Sequence, residues 1–143
     1  MRQKVAVVLV IAIGMACAAS GSTEDLTQHL IALLSSDPSG SSHFSSDHFD
    51  WQVSRVPSVT PMVDAQKCGL ARFPAGSRTD WHPAQRKQYL VVLKGAMEIE
   101  ASDGAHQRFV AGDVLLVTDT QGRGHRTSVP GDQELLLGII SIP

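Results

Sequence analysis

Two histidines and one glutamine carry most of the chemistry available to this chain. His82 follows the turn residues Gly76 and Ser77, and His125 closes the run Gly122-Arg123-Gly124-His125. Each stands beside a glycine-bearing turn and a strand-like stretch, an arrangement that can bring distant side chains together inside a β-barrel. Residues two apart on a strand share a face. His82 and Ala84 therefore point the same way, as do Gln88, Leu90 and Val92, and as do His125, Thr127 and Val129. Two imidazoles and a neutral amide allow two kinds of site. A catalytic Zn²⁺ or Fe²⁺ centre wants three protein ligands, often including a carboxylate. An amide is a poor ligand and cannot neutralise the ion's charge, so this set favours no metal or a weakly bound one. In a metal-free pocket the same groups hydrogen-bond a small polar ligand, and one imidazole can act as acid or base. The plainest alternative is that both histidines are hydrogen-bonded barrel residues with no ligand at all.

The spacing around these residues resembles the cupin family. The first cupin motif runs Gly, five residues, His, one residue, His, three or four residues, Glu, six residues, Gly. Here it reads Gly76, His82, Ala84, Gln88 and Gly95, with each interval kept. Ala84 stands where the second His would be, and Gln88 where the Glu would be. The second motif begins at Gly112 and ends in Gly122 to His125, with Val129 in place of its final Asn and no Pro-x-Gly between. The resemblance covers roughly residues 60–142. It implies an all-β double-stranded β-helix, the cupin jelly-roll barrel, in which His82, Gln88 and His125 converge on the interior and Ala84 leaves a gap. Those three are then the residues that would hold any Fe, Mn or Zn ion. Trp81 lines the mouth or points away, and Asp119 can orient an imidazole. Arg78, Arg86 and Arg123 lie where they can draw an anion to the opening, although any one of them is more simply a solvated charge. The resemblance implies a small-molecule ligand, polar or anionic, and a homodimer. It leaves open a cupin enzyme, an isomerase, lyase or metal-dependent oxygenase, working through His82 and His125. It also leaves open a structural domain with a vestigial pocket, because one fold hosts many functions.

The elements that must position these residues read as β without the family. Candidate strands are 67–73, 88–93, 96–101, 106–110, 114–118, 125–129 and 134–142, separated by turns rich in Gly and Pro. Met97 and Ile99 alternate with Glu98 and Glu100, the pattern of a half-buried strand. The run Leu135 to Ile140 is apolar on both faces, so its second face needs cover from another element or another subunit.

The first fifty residues read differently. Arg2 and Lys4 precede an apolar run from Val5 to Ile13, and Ala16-Cys17-Ala18 offers a cleavage site, so residues 1–19 form a secretory signal. That implies a secreted or periplasmic protein, touching a membrane only through an uncleaved signal. Residues 22–35 place Leu26, Leu30, Leu33 and Leu34 at helical spacing behind the capping residues Ser22 and Thr23. A short N-terminal helix is expected there, followed over residues 35–46 by a serine-rich linker holding Pro38 and Gly40. The cluster His43, Asp47, His48 and Asp50 reads as solvated rather than metal-binding. The expected layout is signal, then helix and linker over 20–50, then a barrel over 51–143.

Composition sets the remaining limits. At 143 residues the chain can bury one real core. A formal net charge of -2 gives no reason to expect nucleic acid, and the absence of Asn excludes N-glycosylation. Once Cys17 is removed, Cys68 has no partner for a disulfide within the chain and reads as a buried apolar residue. No P-loop, Gly-x-Ser-x-Gly elbow, Cys-x-x-Cys or complete dinucleotide fingerprint is present.

Overall fold

A computed structural model describes residues 28–52 and 59–143, and the signal over residues 1–19 lies outside them. The described chain forms nine strands and no helix: β1 Gln28–Ser36, β2 Ser42–Asp50, β3 Lys67–Phe73, β4 Gln88–Lys94, β5 Ala96–Ala101, β6 His106–Val110, β7 Val114–Val117, β8 His125–Ser128 and β9 Leu135–Ser141. They build a six-stranded sheet in the order β2-β1-β7-β4-β9-β3 and a three-stranded sheet in the order β6-β5-β8. Between the sheets lies one apolar core, with Met97, Ile99 and Phe109 from the small sheet meeting Leu90, Leu115, Leu135 and Leu34 from the large one. In β5 every second residue is buried, which is the period a half-solvated strand requires.

The seven strands expected from 67 onward are all present. β3, β5 and β6 have the expected ends, and the others differ by a residue at one end or both. This part of the chain writes its own boundaries, because a positive-φ glycine sits in most of its turns, among them Gly76, Gly95, Gly104 and Gly112.

The N-terminal expectations need correcting. No helix forms over residues 28–35; that stretch is β1, and residues 22–27 lie outside the described residues. The run Leu30 to Leu34 is apolar enough to be either a helix face or a buried strand. Pairing decides it. Ala32 to Leu34 line up in parallel with Leu115 to Val117, and the whole of β1 pairs antiparallel with β2. Ile31 and Leu34 enter the core. A helix this short is marginal on its own, whereas the strand satisfies its backbone on both edges.

Nor are residues 35–46 a linker. They are the turn of that hairpin and the first half of β2. The serines that suggested a linker instead make the turn: Asp37 Oδ1 accepts from Ser39 N at 2.8 Å, Ser41 N at 3.0 Å and Ser39 Oγ at 2.6 Å. These bonds, the Ser39 hydroxyl first, hold the Asp37 carboxyl below its ordinary value. Phe44 then packs on Phe109, and Phe49 on Tyr89. On the second face of β9, Ile140 borders an open groove together with Phe49, Met62 and Val63. Cys68 is exposed, not buried, because β3 is the outer strand of its sheet.

Candidate functional site

The two histidines are brought together by backbone pairing. His82 N donates to His125 O at 2.9 Å and His125 N donates to His82 O at 3.0 Å, so the residues face each other directly across an antiparallel bridge. Side chains of such a pair project to one side, and here the ring centroids lie 4.7 Å apart. The approach depends on Gly124. Its φ is +75°, and a Cβ there would lie 2.1 Å from the His82 carbonyl oxygen. Gly122 is fixed likewise, its own missing Cβ making room for the Gly40 carbonyl in the β1–β2 turn.

Each ring is held through Nδ1. For His82 the partner is the Asp80 carbonyl at 2.8 Å. For His125, 5% exposed, it is Asp119 Oδ2 at 2.7 Å. Asp119 is fully buried, and Ser42 Oγ donates to the same oxygen at 2.9 Å. Ser42 N is bound in turn by Ser102 Oγ. Asp119 Oδ1 has no partner among the described residues.

The rings border a cavity of about 280 Å³ between the sheets. Gln88 and Ala84 line it, with Thr79 and Thr127 as further polar wall and Phe73, Leu90, Met97, Leu137 and Ile139 as the apolar wall. The structure therefore gathers His82, Gln88 and His125 and puts Asp119 behind His125. Two expected residues are elsewhere. Trp81 does not line the cavity; its ring lies under Arg123 at 4.0 Å and beside Arg126 at 4.8 Å. Trp81 and His82 are sequence neighbours, so their side chains leave opposite sides of the backbone; His82 is itself exposed and reaches the cavity from its rim. Arg86 is exposed and also outside the lining, since it stands in the loop before β4. Arg78 bonds Glu100 at 3.3 Å. Ser42 was missed because nothing distinguishes one serine in a serine-rich stretch.

The donor set does not fit a tightly held divalent cation. Among the described residues no three His, Cys, Asp or Glu side chains are placed to hold a metal ion. Ala84 supplies no donor, Gln88 supplies a neutral one, and Asp119 is spent on the far side of His125. His43, Asp47, His48 and Asp50 make no such group either: His48 lies 3.5 Å from Asp50, while His43 faces Ser35.

No family model matches the chain, and no curated protein does. Solved structures do resemble it. A cupin-like protein from Thermotoga maritima is 25% identical over 52% of this chain and 55% of its own, with a TM-score of 0.46. A cupin domain from Bordetella pertussis is 22% identical over 66% and 91%, with a TM-score of 0.45. A Cupin 2 conserved barrel domain protein from Salinispora arenicola is 20% identical over 66% and 76%, with a TM-score of 0.47. Each of these three is a cupin or cupin-like protein. The match spans about half the length of the Thermotoga protein. The likeness concerns the cupin barrel, and the chemistry is read from this chain's own residues.

Proposed function

We propose that the protein binds a small polar molecule in the cavity between the sheets, without a tightly held metal. The observation that carries this reading is the cross-strand pair His82–His125, with Asp119 behind it, opening on a cavity whose other wall is apolar. Pockets of this kind combine an apolar lining with a few placed polar groups, and about 280 Å³ is near the lower end of their size range. The ligand is therefore small. The basic start, apolar run and Ala16-Cys17-Ala18 of the first residues support export as part of the proposal.

The test is a fragment screen by ligand-observed NMR, using single-ring alcohols, amides and carboxylates in chelator-treated buffer. Binders should compete with one another and be lost in Gln88→Leu and His82→Ala. Binders indifferent to both variants would place the site elsewhere. A second reading rests on the Asp119–His125 bond, which holds an imidazole as acid–base catalysts do. Turnover of a bound fragment, abolished in His125→Gln, is the result that would favour it.

A further inference from the structure

We infer that the pocket selects an uncharged hydrogen-bond donor, a hydroxyl-bearing molecule of single-ring size with an apolar face, and rejects anions. This rests on the binding reading above and specifies its ligand. The Asp80 carbonyl can only accept, so the His82 proton that meets it is on Nδ1. The Asp119 carboxylate accepts from Ser42 and from His125, so the His125 proton is also on Nδ1. In the neutral rings both Nε2 atoms are then acceptors. The cross-strand bridge sets the rings 4.7 Å apart at the cavity wall, so the two acceptors form a pair.

The charges agree with this. No Asp, Glu, Lys or Arg lines the cavity. Arg78 and Arg126 bond Glu100, and Arg123 lies on Trp81, which faces away. An entering anion would give up part of its water, meet two lone pairs at this wall and find no cationic side chain in the lining to offset the loss. A hydroxyl donates to such nitrogens, and Leu90, Met97 and Leu137 receive the carbon face. Thr79 Oγ1 already accepts from Thr127 N; its O–H, the Thr127 hydroxyl and the Gln85 and Gln88 amides are neutral groups that can serve a hydroxyl as well as an anion, so they supply no charge that would favour the anion.

Two-bond ¹H–¹⁵N correlation of the imidazoles reads the tautomers directly, and both His82 and His125 should show the Nδ1–H form at neutral pH. The full chain is then titrated in chelator-treated buffer with cis-1,2-cyclohexanediol, its dimethyl ether, cyclohexanecarboxylate and inorganic phosphate. The diol should shift the Nε2 signals and bind roughly ten- to a hundredfold more tightly than the ether, the size expected for two lost hydrogen bonds. In Asp119→Asn the amide can donate to Nδ1 and drive the proton to Nε2, so the diol preference should fall. Ser42→Ala keeps the carboxylate and should keep the preference; it and the parent spectrum decide the matter should the Asn variant not fold. Tighter binding of cyclohexanecarboxylate or phosphate than of the diol, or an Nε2–H tautomer at either ring, overturns the inference and leaves the pocket standing. Failure of all four probes to shift the His82, His125 and Met97 signals overturns the pocket reading with it.

Discussion

Ala84 is where the site stands furthest from a metal centre. It is 5% exposed, lines the cavity and follows His82 by two residues, so an imidazole there would share the face of His82. Ala84→His with Gln88→Glu would offer three imidazoles and a carboxylate, a set that suits Fe²⁺, Mn²⁺ or Zn²⁺. Calorimetric titration should show a strong gain in Zn²⁺ binding over the parent. Ion at a hundredfold excess over its dissociation constant should stabilise the fold by about 2.7 kcal/mol, seen as a higher Tm. No gain in a folded double variant would mean that the four side chains do not meet. A second prediction concerns Glu100. Its side chain is 16% exposed and is held below the ordinary carboxylate value first by the Arg126 hydrogen bond, then by the charges of Arg126, His106 and Arg78. A depressed folded value means stability present at neutral pH and lost as the pH falls through that value. Glu100→Gln should lower the urea midpoint at pH 7, and the gap to the parent should shrink as the pH falls below the ordinary carboxylate range and close once it passes the depressed folded value. A gap independent of pH would assign Glu100 a packing role only. At this scale the spacing of His82, Gln88, His125 and Asp119 was legible in the sequence. Ser42 was not, because its role depends on which element lies opposite; for Trp81 the sequence left the mouth and the outside both open.

The strands from β3 to β9 were legible because their turns carry glycines that only a reversal needs and their faces alternate. β1 and β2 were not, because an apolar run of five residues fits two periods and only its partner in space chooses between them. Gly124 shows how closely an element boundary can bear on the site. A side chain there meets both a positive φ, costing on the order of 1–3 kcal/mol, and the His82 carbonyl. Gly124→Ala should lower Tm and break the His82–His125 bridge, seen as faster amide exchange at both residues. An unchanged Tm with protected amides would show that the bridge tolerates a wider gap.

The whole molecule is one core served by both ends of the chain. β1 supplies Ile31 and Leu34, β2 supplies Ser42, and β9 lies between β4 and β3. Removing residues 1–50 should therefore destroy cooperative unfolding and not merely shorten the protein. A sharp thermal transition in the truncated chain, with near-ultraviolet dichroism intact, would restore the linker reading. The parallel pairing of β1 with β7 has a consequence for how the protein is born. The hairpin leaves the ribosome long before β7 exists, and at about 5–20 residues per second it waits several seconds for its neighbour. A lone hairpin is marginal in water, so little of it holds in that interval. The large sheet is incomplete until β9, the last of the nine described strands, has been made. Until then the nascent chain stays loose, the form in which a polypeptide can still be threaded through a membrane channel, as its proposed export would require.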